Sequence, residues 1–122
     1  MNVMVVDDEK DIELLFRQHF RKEIREGRVE FLFASSGEDA LARIEAMPHP
    51  PDLIWIFTDI NMPGMSGLDL LRALKSQFPQ IKVSMITAYG DQYYRDAVAS
   101  GADRYYTKPL DFNALKQELF SF

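Results

Sequence analysis

The sequence predicts an α/β domain: a parallel sheet covered by helices on both faces. Short valine-, isoleucine- and phenylalanine-rich runs alternate with amphipathic segments along the whole chain. The connections between them are short, which implies right-handed crossovers between parallel strands. The first run, Asn2 to Val6, is apolar without alternation, as expected of a strand buried on both faces. At 122 residues, residues 1–122 read as one domain around one core.

Each element has its own signal. After the first strand, Ile12, Leu15, Phe16, Phe20 and Ile24 recur at three-and-four spacing and predict one helix from Glu9 to about Glu26, with Gly27 as its left-handed terminator. Val29 to Ala34 reads as the second strand. Ser36 with Asp39, or Ser35 with Glu38, then forms a capping-box signal ahead of Leu41, Ile44 and Met47, and Pro48 is the stop. Leu53 to Thr58 is the third strand, followed by a Gly-rich turn and a helix capped by Ser66 and Asp69 that carries Leu70, Leu71, Leu74 and Phe78. Ile81 to Ile86 is the fourth strand. Asp91 to Ser100 is a short helix expected to face inward through Tyr94, Ala97 and Val98, and Asp103 to Thr107 is the fifth strand. Phe112, Leu115, Leu119 and Phe122 stripe the last helix, and the chain stops without a polar cap. Such an ending fits either a piece of a longer protein or a stand-alone domain.

Composition narrows the function classes. Fourteen Lys plus Arg against nineteen Asp plus Glu give a net charge of −5, the wrong sign for gripping a phosphate backbone, so no direct nucleic-acid binding is expected. Without cysteine there is no disulfide, thiol nucleophile or thiolate-bound zinc, and His19 and His49 are too far apart for a paired-histidine metal motif. The longest apolar run, Leu53 to Phe57, is far short of the ~20 residues of a spanning helix, and the N-terminus lacks a basic region followed by an apolar one. No membrane partner and a cytoplasmic location are expected.

In open parallel sheets, ligands bind beyond the carboxyl ends of the strands, so the strand-to-helix junctions hold the candidate site. Asp7 and Asp8 end the first strand, Asp59 the third, Thr87 and Ala88 the fourth, and Lys108 with Pro109 the fifth. Taken singly these have ordinary readings: first-turn acids, a turn residue, a strand-end hydroxyl, a solvated lysine. Their coincidence on one edge does not. Two carboxylates about 4 Å apart in a partly shielded site repel by roughly 4 kcal/mol, so a cation belongs there. Mg²⁺ accepts oxygen ligands only and keeps room for a phosphate oxygen. Such a site suits phosphoryl transfer onto a carboxylate, with Asp59, alone at the end of a central strand, as the candidate nucleophile.

Asp7-Asp8, the run Thr58-Asp59-Ile60-Asn61-Met62-Pro63-Gly64-Met65-Ser66-Gly67, Thr87-Ala88 and Lys108-Pro109 together resemble the receiver domain of two-component response regulators. The resemblance covers essentially the whole chain. It implies a (βα)5 flavodoxin-like fold with strand order 2-1-3-4-5. It further implies that Asp59 accepts a phosphoryl group from a phosphohistidine of a sensor histidine kinase or histidine phosphotransfer protein, with Mg²⁺ as cofactor. Asp8 and Asp59 would ligate the metal through carboxylates, Asn61 through its main-chain carbonyl and Asp7 largely through water. Lys108 would pair with the phosphate, and its bond to Pro109 is expected cis. Thr87 would turn toward the new phosphate and an aromatic residue would fill the space it vacates. Family position makes that residue Tyr105, while strand parity alone leaves Tyr106 open.

The same resemblance places dimerisation or output-domain contacts on the fourth helix, fifth strand and fifth helix, here including Tyr93 or Tyr94, Arg95, Arg104, Tyr105 and Tyr106. Asn61 and Tyr89 occupy positions that in the family influence aspartyl-phosphate hydrolysis, and the bulk of Tyr89 is expected to slow it. Three other functions compete. One is a degenerate receiver acting as an unphosphorylated interaction module. Another is an aspartate-nucleophile phosphatase of the haloacid-dehalogenase type, whose paired aspartates stand one residue apart. A flavin binder is the third, but no phosphate loop rich in Gly, Ser or Thr follows Val6.

Overall fold

The computed structural model describes residues 1–121, so Phe122, expected on the stripe of the last helix, lies outside the described residues. Five strands, β1 (Asn2–Val6), β2 (Glu30–Ala34), β3 (Trp55–Asp59), β4 (Lys82–Thr87) and β5 (Arg104–Thr107), pair in parallel in the order β2-β1-β3-β4-β5. This is the flavodoxin-like order the resemblance implies. Among the described residues six helices connect them: α1 (Lys10–His19), α2 (Arg21–Arg25), α3 (Gly37–Glu45), α4 (Gly67–Gln77), α5 (Tyr94–Ala99) and α6 (Phe112–Leu119).

The period-two alternation of the strands divides the core into two layers. Val3, Val5, Trp55 and Phe57 pack with Phe16, Phe20, Phe112, Leu115 and Leu119 from α1, α6 and the chain between α1 and α2. Met4, Val6, Ile56, Val83 and Met85 pack with Ala40, Ile44, Leu71, Leu74 and Ala97 from α3, α4 and α5. Strand β3 is therefore the middle strand with both faces covered, and every one of its residues is buried. No described helix is long and apolar enough to cross a membrane.

The helix caps follow the predicted chemistry. Ser66 accepts from the Asp69 N–H at 3.1 Å, and Asp69 in turn accepts from the Ser66 N–H at 3.4 Å. At α3, Ser36 rather than Ser35 is the cap, accepting from the Asp39 N–H at 3.0 Å, while the Asp39 carboxylate takes the Ser35 N–H.

Three expectations need correction. The single helix expected over residues 9–26 is divided at Phe20, where φ is −106° and ψ is 16°. The hydrogen bonds to Phe16 and from Ile24 persist across this bend, and the Phe20 ring is drawn fully into the core, 5.0 Å from Phe31. Gly27, at φ +73°, does close the segment as expected. Leu15 lies at the edge of the apolar stripe rather than within it and is 40% exposed, because Ile12 and Phe16, four apart, define the inward face. Around α5 the inward pair is Tyr93, at the cap position before the helix, and Ala97; Tyr94 and Val98, one position and so about 100° further round, face outward at 50% and 53% exposure.

Candidate functional site

The carboxyl ends of β1, β3, β4 and β5 bring the predicted groups to one edge of the sheet. Oxygen atoms of Asp7, Asp8 and Asp59, one from each, lie within 4.8 Å of one another. Asp7 and Asp59 are buried and Asp8 is exposed, so two carboxylates floor the site and one stands at its mouth. The Asp7 carboxylate accepts from the Glu9 N–H at 2.9 Å and from Lys108 Nζ at 3.2 Å. Lys108 Nζ is also 3.8 Å from Asp59 Oδ1 and from Glu9 Oε1. Its stem enters over a cis peptide to Pro109, and its N–H donates to the Thr87 carbonyl at 2.8 Å, tying β5 to β4.

Burial and like charge govern the protonation of these groups. Burial is the largest influence on Asp59, the Asp7 charge adds to it, Lys108 opposes it and Asp8 adds further; the carboxyl is pushed up to about 6 from its ordinary 3.8. Burial likewise raises Asp7, outweighing the Glu9 N–H and the Lys108 ammonium. For Lys108 burial acts downward, but Asp7, Asp59 and Glu9 outweigh it and hold the ammonium above its ordinary value. One lysine thus fails to neutralise the carboxylates around it. An all-oxygen, net-negative donor set of this kind fits a hard divalent cation and offers nothing to a soft one.

The remaining predicted residues make contacts of their own. Thr87 is fully buried, and its Oγ1 accepts from the Tyr89 N–H at 3.1 Å. Tyr105 is half-buried against the α4/α5 layer and donates its hydroxyl to the Gly90 carbonyl at 2.6 Å, whereas Tyr106 packs on the opposite face and donates to Glu118 at 2.7 Å. Strand parity left these two tyrosines open; the structure separates them. The Asn61 side chain is exposed and accepts from the Tyr93 hydroxyl at 3.2 Å. Tyr89 is 58% exposed, its ring edge-on to Tyr93 at 6.4 Å.

Sequence reasoning missed three participants. Glu9 extends the Asp7-Asp8 run and could have been read as a third acid near the lysine. Gly67, read only as a turn residue, is pressed so closely on the acceptor strand that a Cβ there would overlap the Asp59 carbonyl oxygen and stand 2.8 Å from Ile60 Cα. Tyr93, expected only on the output surface, reaches Asn61, 32 positions away, which no local pattern reveals.

The response regulator receiver domain family matches residues 3–120. The chain belongs to that family. This receiver domain is 37% identical over 120 residues to the two-component response regulator PhoP of Pseudomonas aeruginosa, covering 98% of this chain and 50% of that protein. It is 32% identical over 122 residues to the chemotaxis protein CheY1 of Helicobacter pylori, covering 98% of this chain and 94% of that one. Against PilR of Pseudomonas aeruginosa it spans only 24% of the relative's length, so the chain corresponds to half or less of some relatives and to nearly all of others. Among solved structures, the Thermotoga maritima response regulator TrrA in complex with Mg²⁺-BeF matches with a TM-score of 0.77 at 30% identity, covering 98% of this chain and 96% of that one. A receiver domain protein from Methanospirillum hungatei matches with a TM-score of 0.84 at 26% identity, covering 98% and 90%. Receiver domains are signalling switches of two-component systems rather than classical enzymes.

Proposed function

We propose that this receiver domain is a phosphorylatable switch in which Asp59 accepts a phosphoryl group from the phosphohistidine of a sensor kinase or phosphotransfer protein. The observation that carries this reading is the convergence of Asp7, Asp8 and Asp59 on one point, with Lys108 the ammonium beside them. Asp59 attacks as a carboxylate: one oxygen bonds to phosphorus, the P–N bond breaks, and its electron pair leaves with the ring nitrogen of the donor histidine. Lys108, 3.8 Å from Oδ1, favours the ionised nucleophile and would pair with the oxygens of the phosphoryl group once it is attached there. The Thr87 hydroxyl accepts one hydrogen bond and still has its own proton to donate to a phosphoryl oxygen.

Asp7, Asp8 and Asp59 would hold Mg²⁺, joined by the Asn61 carbonyl and with Asp7 acting through water as the resemblance implies. When bound, the ion supplies the positive charge that the carboxylates and a phosphoryl group together require. The Mg²⁺-BeF complex of TrrA, a relative of the same fold, supports this assignment.

Output follows from the tie between Thr87 and Tyr105. The segment after Thr87 carries both the Tyr89 N–H bound to the threonine and the Gly90 carbonyl bound to Tyr105, so a turn of Thr87 toward a new phosphate loosens the tyrosine from that segment. Tyr94 packs edge-on to Tyr105 at 5.4 Å, continuing the path to the surface of α5, β5 and α6, where a second copy or an output domain would dock.

Intact mass in Mg²⁺ and acetyl phosphate tests the proposal, with Asp59→Asn alongside. One phosphoryl adduct, absent from the variant and without Mg²⁺, is expected. No adduct would mark an unphosphorylated interaction module, and steady turnover of a phosphomonoester would mark a phosphatase; either result overturns the reading.

A further inference from the structure

The loop joining β3 to α4 carries Asn61 and begins at the acceptor aspartate, so its conformation decides where the site's backbone oxygens stand. One end is set by the acceptor strand itself: the Gly67 N–H donates to the Ile60 carbonyl at 2.8 Å, and Gly67 lies against the Asp59 backbone. The other anchor comes from a different part of the chain. The Met65 N–H donates to Glu38 Oε2 at 3.2 Å across 27 residues, from the loop to the first turn of α3. Around this bond the fit is tight. A Cβ on Gly37 would stand 2.9 Å from the Met65 sulfur, and a Cβ on Gly64, held at φ +76°, would stand 2.8 Å from the same Glu38 oxygen.

An acid in the first turn of a helix is ordinarily a solvated partner of the macrodipole, and Glu38 is exposed. Its carboxylate nonetheless leaves its own helix terminus to take the Met65 N–H, its one side-chain hydrogen bond among the described residues. The neighbouring Asp39 already serves the terminus through the Ser35 N–H and also accepts from the Arg43 guanidinium. We infer that Glu38 is a positioning residue: by holding Met65 it fixes the loop that presents Asn61 beside Asp59, and so sets how tightly the site binds a divalent cation. This rests on the phosphoacceptor reading above and adds a residue from α3 to it. An amide held by an acceptor oxygen loses that bond when the side chain is truncated, so the loop samples more conformations and the cation bears the cost of ordering it.

Calorimetric titration of the unphosphorylated full chain with Mg²⁺ is the test, on wild type, Glu38→Ala, Glu38→Lys and Glu38→Gln, with hydrogen exchange at the Met65 amide in the same samples. Glu38→Ala and Glu38→Lys are expected to bind Mg²⁺ about tenfold more weakly and to lose protection of the Met65 amide, with unchanged thermal melting of the cation-free chains. Glu38→Gln, which removes the charge but keeps an acceptor oxygen, is expected to stay within about twofold of wild type. Phosphorylation by acetyl phosphate should lag in Glu38→Ala at low Mg²⁺ and recover at saturating Mg²⁺, as a positioning role requires. Wild-type affinity in Glu38→Ala, or equal loss in Glu38→Gln, overturns the inference while leaving the phosphoacceptor reading intact. A wild-type chain that takes neither Mg²⁺ nor phosphate overturns both.

Discussion

Asp59 is buried at the end of the middle strand among like charges, so the cation-free fold carries an electrostatic cost located at one residue. Its carboxyl titrates near 6 rather than 3.8, which means that between these values the folded chain holds a proton the unfolded chain has released. Stability contributed by this group therefore falls as pH rises through that window and stays low above it. We expect Asp59→Asn, which cannot ionise, to gain on wild type from about pH 4 to about pH 6, reaching on the order of 3 kcal/mol at neutral pH without divalent cations. Urea unfolding of both proteins at pH 4 and pH 7 checks this, and a difference independent of pH would show that Asp59 is not the destabilising charge. At this scale the sequence was informative: Asp7, Asp8, Asp59, Thr87 and Lys108 sit where strand ends predicted them. Their pairings were not legible, because the contact of Lys108 with Asp7 spans 101 residues.

Gly67 shows how an element can be constrained by something outside it. It is the first residue of α4, where alanine would ordinarily improve the helix by about 1 kcal/mol. Here a Cβ would overlap the Asp59 carbonyl and crowd Ile60 Cα, both backbone atoms that cannot rotate away. Gly67→Ala is therefore expected to destabilise by about 1–3 kcal/mol and to shift the acceptor backbone, slowing phosphorylation; thermal melting and the intact-mass assay read the two effects. A variant as stable and as reactive as wild type would show that α4 can retreat without consequence. Local patterning located this helix well, since the Ser66 and Asp69 cap is a signal confined to four residues. It failed for α5, where only six helical residues are too few to average out the phase, and Tyr94 and Val98 were assigned to the wrong face. It also missed the bend between α1 and α2, because spacing of apolar residues does not register how far each ring must reach.

Across the whole molecule, one layer of the core is dominated by aromatic rings gathered from distant segments. Phe16 contacts Phe20, Phe31, Phe57 and Phe112, joining the first helical segment to β2, β3 and α6, and it is fully buried. Phe16→Ala is expected to cost about 3–5 kcal/mol, a large share of the roughly 5–15 kcal/mol that holds a domain of this size, whereas Leu14→Ala on the exposed side of the same helix should stay within about 0.5 kcal/mol. Chemical denaturation of the two variants measures the contrast, and comparable losses would contradict the layer assignment. The sequence by itself determined the alternation of strands and helices and the identity of the residues at the strand ends, because hydrophobic period and turn chemistry are local properties of the chain. Strand order is implied only by resemblance, and the pairings of β1 with β2 and β3, of β3 with β4 and of β4 with β5 fix it. Only the tertiary structure decided which tyrosine faces the α4/α5 layer, which serine caps α3 and which acid holds the loop after Asp59. Those choices depend on distances between atoms far apart along the chain, and a linear pattern carries no term for them.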